Sequence, residues 1–207
     1  MRDLLQPADA LWSILLAGGY LTVDSDGEPS FLGTKLRVPN REVQFVYRRL
    51  ITSWFHKSGP RSLLPSALKA LIGGDVAEFA RHVTTLASNS LSYFDIGGSH
   101  PERVYHALVM GMLAYLADLY HIRSNRESGK GRPDLILIPN DPKRCGILME
   151  FKVIQAEDQL EQSAQAALRQ IKDKRYAAEF ADRPCSFILA VGMAFFGKKL
   201  AVAHERV

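Results

Sequence analysis

The chain of 207 residues lacks several features that would narrow its class at once. It has only two cysteines, Cys145 and Cys185. They are far apart and outside any CxxC spacing, so neither a disulfide framework nor a cysteine-based zinc site is expected. No apolar run reaches membrane-spanning length; "LWSILLAGGYL" breaks at Gly18-Gly19. The start, "MRDLLQPADA", has neither a basic leader with an apolar stretch nor a cleavage site, which points to a cytoplasmic protein without a membrane partner. Repeats, heptads and low-complexity tracts are missing too. No GxxxxGK[ST] phosphate loop occurs, because "FFGKKL" lacks its spacing, so ATP binding is not expected. The net charge of +4 permits a polyanionic partner without requiring one.

The length suits one domain of ordinary size or one with a smaller appendage. Residues 1–95 read as a small helical region resembling a winged-helix element. A short helix in "DALWSILLAGGYLTV" is followed by a hairpin around "DSDGEPS" and a helix, "NREVQFVYRRLITSWF", with Asn40 as N-cap. Trp12 and Trp54 are expected to anchor its core. Two further helices should break at Gly73-Gly74. From residue 96 the order becomes α-β-β-β-α-β-β. Pro101 opens the first helix, and one long helix is expected over "EDQLEQSAQAALRQIKDKRYAAEF", with the apolar stripe Leu160, Ala164, Ala167, Leu168 and Ile171.

The chemistry concentrates in "GRPDLILIPNDPKRCGILMEFKV", where Asp134, Glu150 and Lys152 interrupt strand-like apolar runs. Buried charge in such strands is costly unless compensated. In a hairpin centred on Pro142, within a turn-forming stretch, Asp134 lies opposite Glu150. Their Cβ atoms would then be roughly 4.5–5.5 Å apart on one face. Lys152, two residues on, shares that face. Two carboxylates so close repel, and a hard divalent cation such as Mg²⁺ relieves them. Metal-assisted phosphodiester hydrolysis suits the set, with Lys152 holding water or neutralising phosphate charge. The plainer reading is an edge hairpin with a solvated Glu150–Lys152 pair.

Pro133-Asp134 and Glu150-Phe151-Lys152, between a helix bearing Glu102 and a second helix, resemble the PD-(D/E)XK nuclease superfamily. "PERVYHALVMGML", "IRSNRESGKGRPDLILIP", "ILMEFKV" and "AALRQIKDKRYA" resemble the nuclease-like domain at the C-terminus of bacterial AAA-ATPase-like proteins. "LWSILLAGGYLTV" and "LRVPNREVQFVYRRLITSWF" resemble the end of the preceding ATPase portion. The resemblance implies an α/β fold with a restriction-endonuclease-like core (αβββαβ, a mixed sheet flanked by helices) over residues 96–207. It implies a Mg²⁺- or Mn²⁺-dependent nuclease acting on nucleic acid, with DNA expected ahead of RNA. Asp134, Glu150 and Glu102 would be metal ligands, Lys152 the catalytic lysine, and Gln170 the glutamine of the following helix.

Each supporting residue has a second reading. Glu102 sits in a first helical turn, where any acid is favoured. Gln170, on the edge of its stripe, either reaches over the sheet or is solvated. Tyr176 falls on another face of the long helix, for packing or substrate contact. Lys172 and Lys174, with Lys130 and Arg132 beside the strand, either hold phosphates or form solvated faces. Arg126 and Glu127 are expected to shape the loop before Asp134 and to pair. His106 and His121 read as structural. The rival function is a catalytically silent adaptor of nuclease fold that docks nucleic acid or a partner protein, and a homo-oligomer is left open.

Overall fold

A computed structural model of the chain describes residues 7–24, 34–57, 59–91, 101–124 and 133–207. They fall into two compact units, Met1–Ile51 and Thr52–Val207. The boundary expected between residues 95 and 96 lies outside the described residues.

In the first unit, α1 (Pro7–Ala17) ends at Gly18-Gly19, where Gly19 takes a left-handed φ of 73°. A short antiparallel pair follows, β1 (Thr22–Val23) and β2 (Leu36–Arg37). Asn40 Oδ1 then accepts from the Val43 N–H at 2.9 Å and caps α2 (Arg41–Lys57). Trp12 is not a core anchor: it is 51% exposed, among Leu11, Ile14 and Phe45, which are also exposed. A unit of this size cannot cover every apolar side chain of two helices. Trp54, in the second unit, is likewise exposed and packs edge-on against buried Phe55.

The second unit takes in the end of α2 from Thr52 and continues with α3 (Leu63–Gly73) and α4 (Val76–Ser90), packed against each other. They break where Gly74 turns left-handed and Asp75 accepts from the Glu78 N–H. Beyond them come α5 (Pro101–Leu113), β3 (Tyr120–Ser124), β4 (Leu135–Pro139) and β5 (Gly146–Val153). After these lie α6 (Leu160–Asp173), β6 (Ile188–Phe196) and β7 (Lys199–Arg206), the expected order. The strands make one mixed sheet, β3-β4-β5-β6-β7, in which only β5 and β6 run parallel and α6 is their crossover. The fold is α/β with the restriction-endonuclease-like layout of a mixed sheet flanked by helices. No helix among the described residues is long and apolar enough to cross a membrane.

Both sheet faces are covered. On one, Ile136, Ile138, Leu148, Ala190 and Ala194 pack against Ala164, Leu168 and Ile171 of α6. Helix and sheet approach closely at Gly192, where an added Cβ would lie 2.3 Å from the Ala164 carbonyl oxygen and 2.4 Å from the Leu168 nitrogen. On the other face, Tyr105 of α5 stacks on Phe195 at 4.4 Å and its hydroxyl donates to the Gly197 carbonyl.

The single long helix expected from residue 157 is instead three pieces: a 3-10 turn (Glu157–Gln159), α6, and a second 3-10 turn (Tyr176–Phe180). Arg175, at φ 52° and ψ 41°, makes the second break. A continuous helix would carry Tyr176 well round from Ile171. The break turns Tyr176 and Phe180 into the same core cluster as Ile171.

Candidate active site

β4 and β5 pair with Leu135 opposite Met149, Ile136 opposite Leu148 and Leu137 opposite Ile147, a register centred on Pro142. One step further along this register, Asp134 faces Glu150. β4 starts at Leu135, so the Phe151 N–H lies beyond the ladder's last partner. Asp134 Oδ2 accepts it at 2.7 Å, which fixes the carboxylate at the strand's mouth.

Glu150 is 4% exposed, one of two buried polar or charged residues among those described. It stands beside Gly192 in the parallel pair with β6, facing α6. The missing Cβ at Gly192 lets α6 come down far enough for Gln170 to reach it. Gln170 Nε2 donates to Glu150 Oε1, and Lys152 Nζ donates to Gln170 Oε1 at 2.6 Å. Lys152 Nζ is also 3.6 Å from Glu150 Oε1. Gln170 is therefore a bridge between acid and lysine. Tyr176, in the core cluster under α6, stands within electrostatic reach of Gln170, Glu150 and Asp134.

Burial, and then the negative charge of Asp134, push the Glu150 carboxyl up to about 7, against the opposing pull of Lys152. Asp134 is raised as well, by burial; the Phe151 N–H, His106 and Lys152 counteract this, and the Glu102 charge adds to it. Glu150 Oε2 is buried without a hydrogen-bond partner among the described residues. A carboxylate held this way is either protonated or in want of a cation. The two acids fit a hard divalent ion: oxygen donors, mutual repulsion, and one buried oxygen with nothing to satisfy it.

Asp134, Glu150, Lys152 and Gln170 thus come together on one face. Glu102 stands exposed in the first turn of α5 and acts on Asp134 through its charge. Among the described residues no group of three His, Cys, Asp or Glu is placed to hold a metal ion. Lys172 is turned toward β7, where it pairs with Glu205 at 2.8 Å. Lys174 lines a groove together with Tyr176. Lys130, Arg132, Arg126 and Glu127 lie outside the described residues. Tyr176 was legible only as an aromatic on the wrong helical face; no local signal announced the break that redirects it. His106, beyond a structural role, bonds Ser124 Oγ at 3.1 Å, packs edge-on against Phe151 and bears on Asp134.

No curated protein and no solved structure matches the chain. A family model described as the PD-(D/E)XK nuclease superfamily matches residues 100–205, from the start of α5 almost to the end of β7. Just over half the chain, including both acids of the site and all of the five-stranded sheet but the last residue of β7, is covered by that match, and the protein belongs to the PD-(D/E)XK nuclease superfamily.

Proposed function

We propose that this protein is a divalent-metal-dependent nuclease that hydrolyses phosphodiester bonds of nucleic acid, DNA in particular, with Mg²⁺ or Mn²⁺. The observation that carries the reading is the buried Glu150 carboxylate, with its unpartnered Oε2 and raised pKa, facing Asp134 beside a lysine. Members of the superfamily typically use divalent metals. Asp134 and Glu150 would hold the ion, with Glu102 adding negative charge from α5. When bound, it would supply Lewis-acid stabilisation of phosphate charge and lower the pKa of coordinated water.

The chain's own groups do the rest. Phe151 N–H orients Asp134, and Gln170 orients both Glu150 and Lys152, so neither long side chain must be ordered during reaction. The Lys152 ammonium, partly exposed, can donate to the attacking water or to a non-bridging phosphate oxygen as negative charge builds there. Water attacks phosphorus, the P–O ester bond breaks, and the leaving oxygen ends as a hydroxyl.

We read the chain further as a nuclease domain from about residue 96, preceded by a region like the end of an AAA-ATPase portion, in a cytoplasmic protein. The silent adaptor is the second reading, favoured by the absence of a three-ligand cluster among the described residues. It predicts salt-dependent nucleic-acid binding that persists in EDTA, with no cutting.

Nicking of supercoiled DNA in Mg²⁺ or Mn²⁺ separates the two. The nuclease reading expects cleavage that EDTA stops and that Asp134→Ala and Lys152→Ala each abolish. Undiminished cutting by both variants would reject it.

A further inference from the structure

A groove of about 590 Å³ opens beside the 3-10 turn that follows α6. Arg123, Lys174, Arg175 and Arg183 line it against two acids, Glu179 and Asp182, with Tyr176 in its wall. Arg123 and Glu179 offset one another at 3.6 Å. Lys174, Arg175 and Arg183, all exposed, then face Asp182 alone. A basic surface of this kind is ordinarily just a solvated face, but three features set this one apart.

The first is the backbone of Arg175, the single non-glycine with positive φ among the described residues. A left-handed conformation costs an L-residue roughly 1–2 kcal/mol, and glycine would relieve it. Here it is occupied by a cation, at the junction that sends Tyr176 inward. The second is continuity with the carboxylate site: Tyr176 lines the groove and also stands within electrostatic reach of Gln170, Glu150 and Asp134. The third is orientation. Arg123 pairs opposite Ile136, and His121 opposite Ile138, both of which face α6. The groove therefore lies on the same side of the sheet as Glu150 and Lys152. The His121 imidazole is held below its ordinary pKa first by burial and then by the positive charges of Arg123 and Arg183.

We propose that this groove is an anion subsite that seats a backbone phosphate of the polynucleotide, flanking the phosphate presented to Asp134, Glu150 and Lys152. Guanidinium groups suit it, since their planar forks bind phosphate oxygens in pairs. The proposal rests on the nuclease reading, which it deepens by naming where the strand is gripped.

The test is equilibrium binding in EDTA, so that cleavage plays no part. Fluorescence anisotropy of a labelled DNA duplex is followed from 50 to 200 mM salt for wild type, Lys174→Gln/Arg183→Gln and Asp182→Asn. The double variant should bind at least ten-fold more weakly at 50 mM. Its slope of log affinity against log salt should flatten by about 0.9 for each phosphate that the protein no longer neutralises. Asp182→Asn, which removes the opposing charge, should bind more tightly, a gain that a damaged fold cannot mimic. Unchanged affinity and slope in both variants overturn the subsite, even if wild type cuts DNA. A wild type that binds no duplex at 50 mM overturns it as well. The predicted binding changes in a protein that never cuts would uphold the groove while removing the nuclease reading.

Discussion

Glu150→Gln is the most telling single change, because its effect on stability should run opposite to that of most buried substitutions. In the metal-free protein the Glu150 carboxyl is raised from 4.5 to about 7, mainly by burial and by Asp134. The folded state therefore prefers the protonated acid and binds more protons than the unfolded chain across that interval. Stability contributed by the protonated form is complete below pH 4.5 and is lost as pH climbs through about 7. At about 1.4 kcal/mol for each pKa unit, the rise corresponds to about 3 kcal/mol. Glutamine keeps the shape and an oxygen for the Gln170 amide but cannot ionise. In EDTA at pH 8 the variant should exceed wild type by up to about 3 kcal/mol, or roughly 6–12 °C in melting temperature for a chain of this size. At pH 4.5 the two should nearly coincide. Thermal unfolding followed by circular dichroism from pH 4.5 to 8 measures this directly, and Mn²⁺ added at pH 8 should raise wild type more than the variant. A wild type that grows more stable between pH 5 and 7 relative to Glu150→Gln would refute a buried, proton-binding Glu150. So would a difference between the two proteins that does not change with pH.

Gly192→Ala should destabilise by about 1–3 kcal/mol in urea unfolding, because its Cβ would meet α6 backbone atoms at 2.3 and 2.4 Å. Any activity should fall further than stability alone explains, since Gln170 rides on the displaced helix. Tyr176→Phe keeps the ring in the core and removes the hydroxyl that stands near Gln170 and the two acids. It should cost about 1 kcal/mol of stability and lower kcat with KM little changed. Lys152→Met, which keeps length and loses charge, should reduce kcat about 10²- to 10³-fold, the usual loss when one electrostatic donor to the reacting group is removed. Folding stability should be affected much less, because the lysine is partly exposed.

Much of this protein could be read along the chain because the relevant signals are local. Short apolar runs in "DLILIP" and "GILMEFKV" mark two strands, and setting Asp134 across from Glu150 centres their hairpin on Pro142 in a turn-forming stretch, the same register in which Leu135 pairs with Met149. The Gly73-Gly74 break, the Asn40 cap and the stripe Ala164, Ala167, Leu168 and Ile171 are equally local, and all appear where spacing puts them.

Other features depend on contacts between segments distant in sequence, and only the tertiary structure decides them. Gln170 bridges Glu150 and Lys152 because Gly192 lets α6 settle onto β6, a contact that no spacing encodes. Tyr176 reaches the site because one left-handed residue, Arg175, ends a helix whose sequence would otherwise continue. Trp12 and Trp54 look like core residues by type, yet burial is a property of what packs above a side chain. The raised pKa of Glu150 belongs to this second class too. A carboxylate's identity is written in the chain, but its desolvation exists only once the sheet and α6 have closed around it.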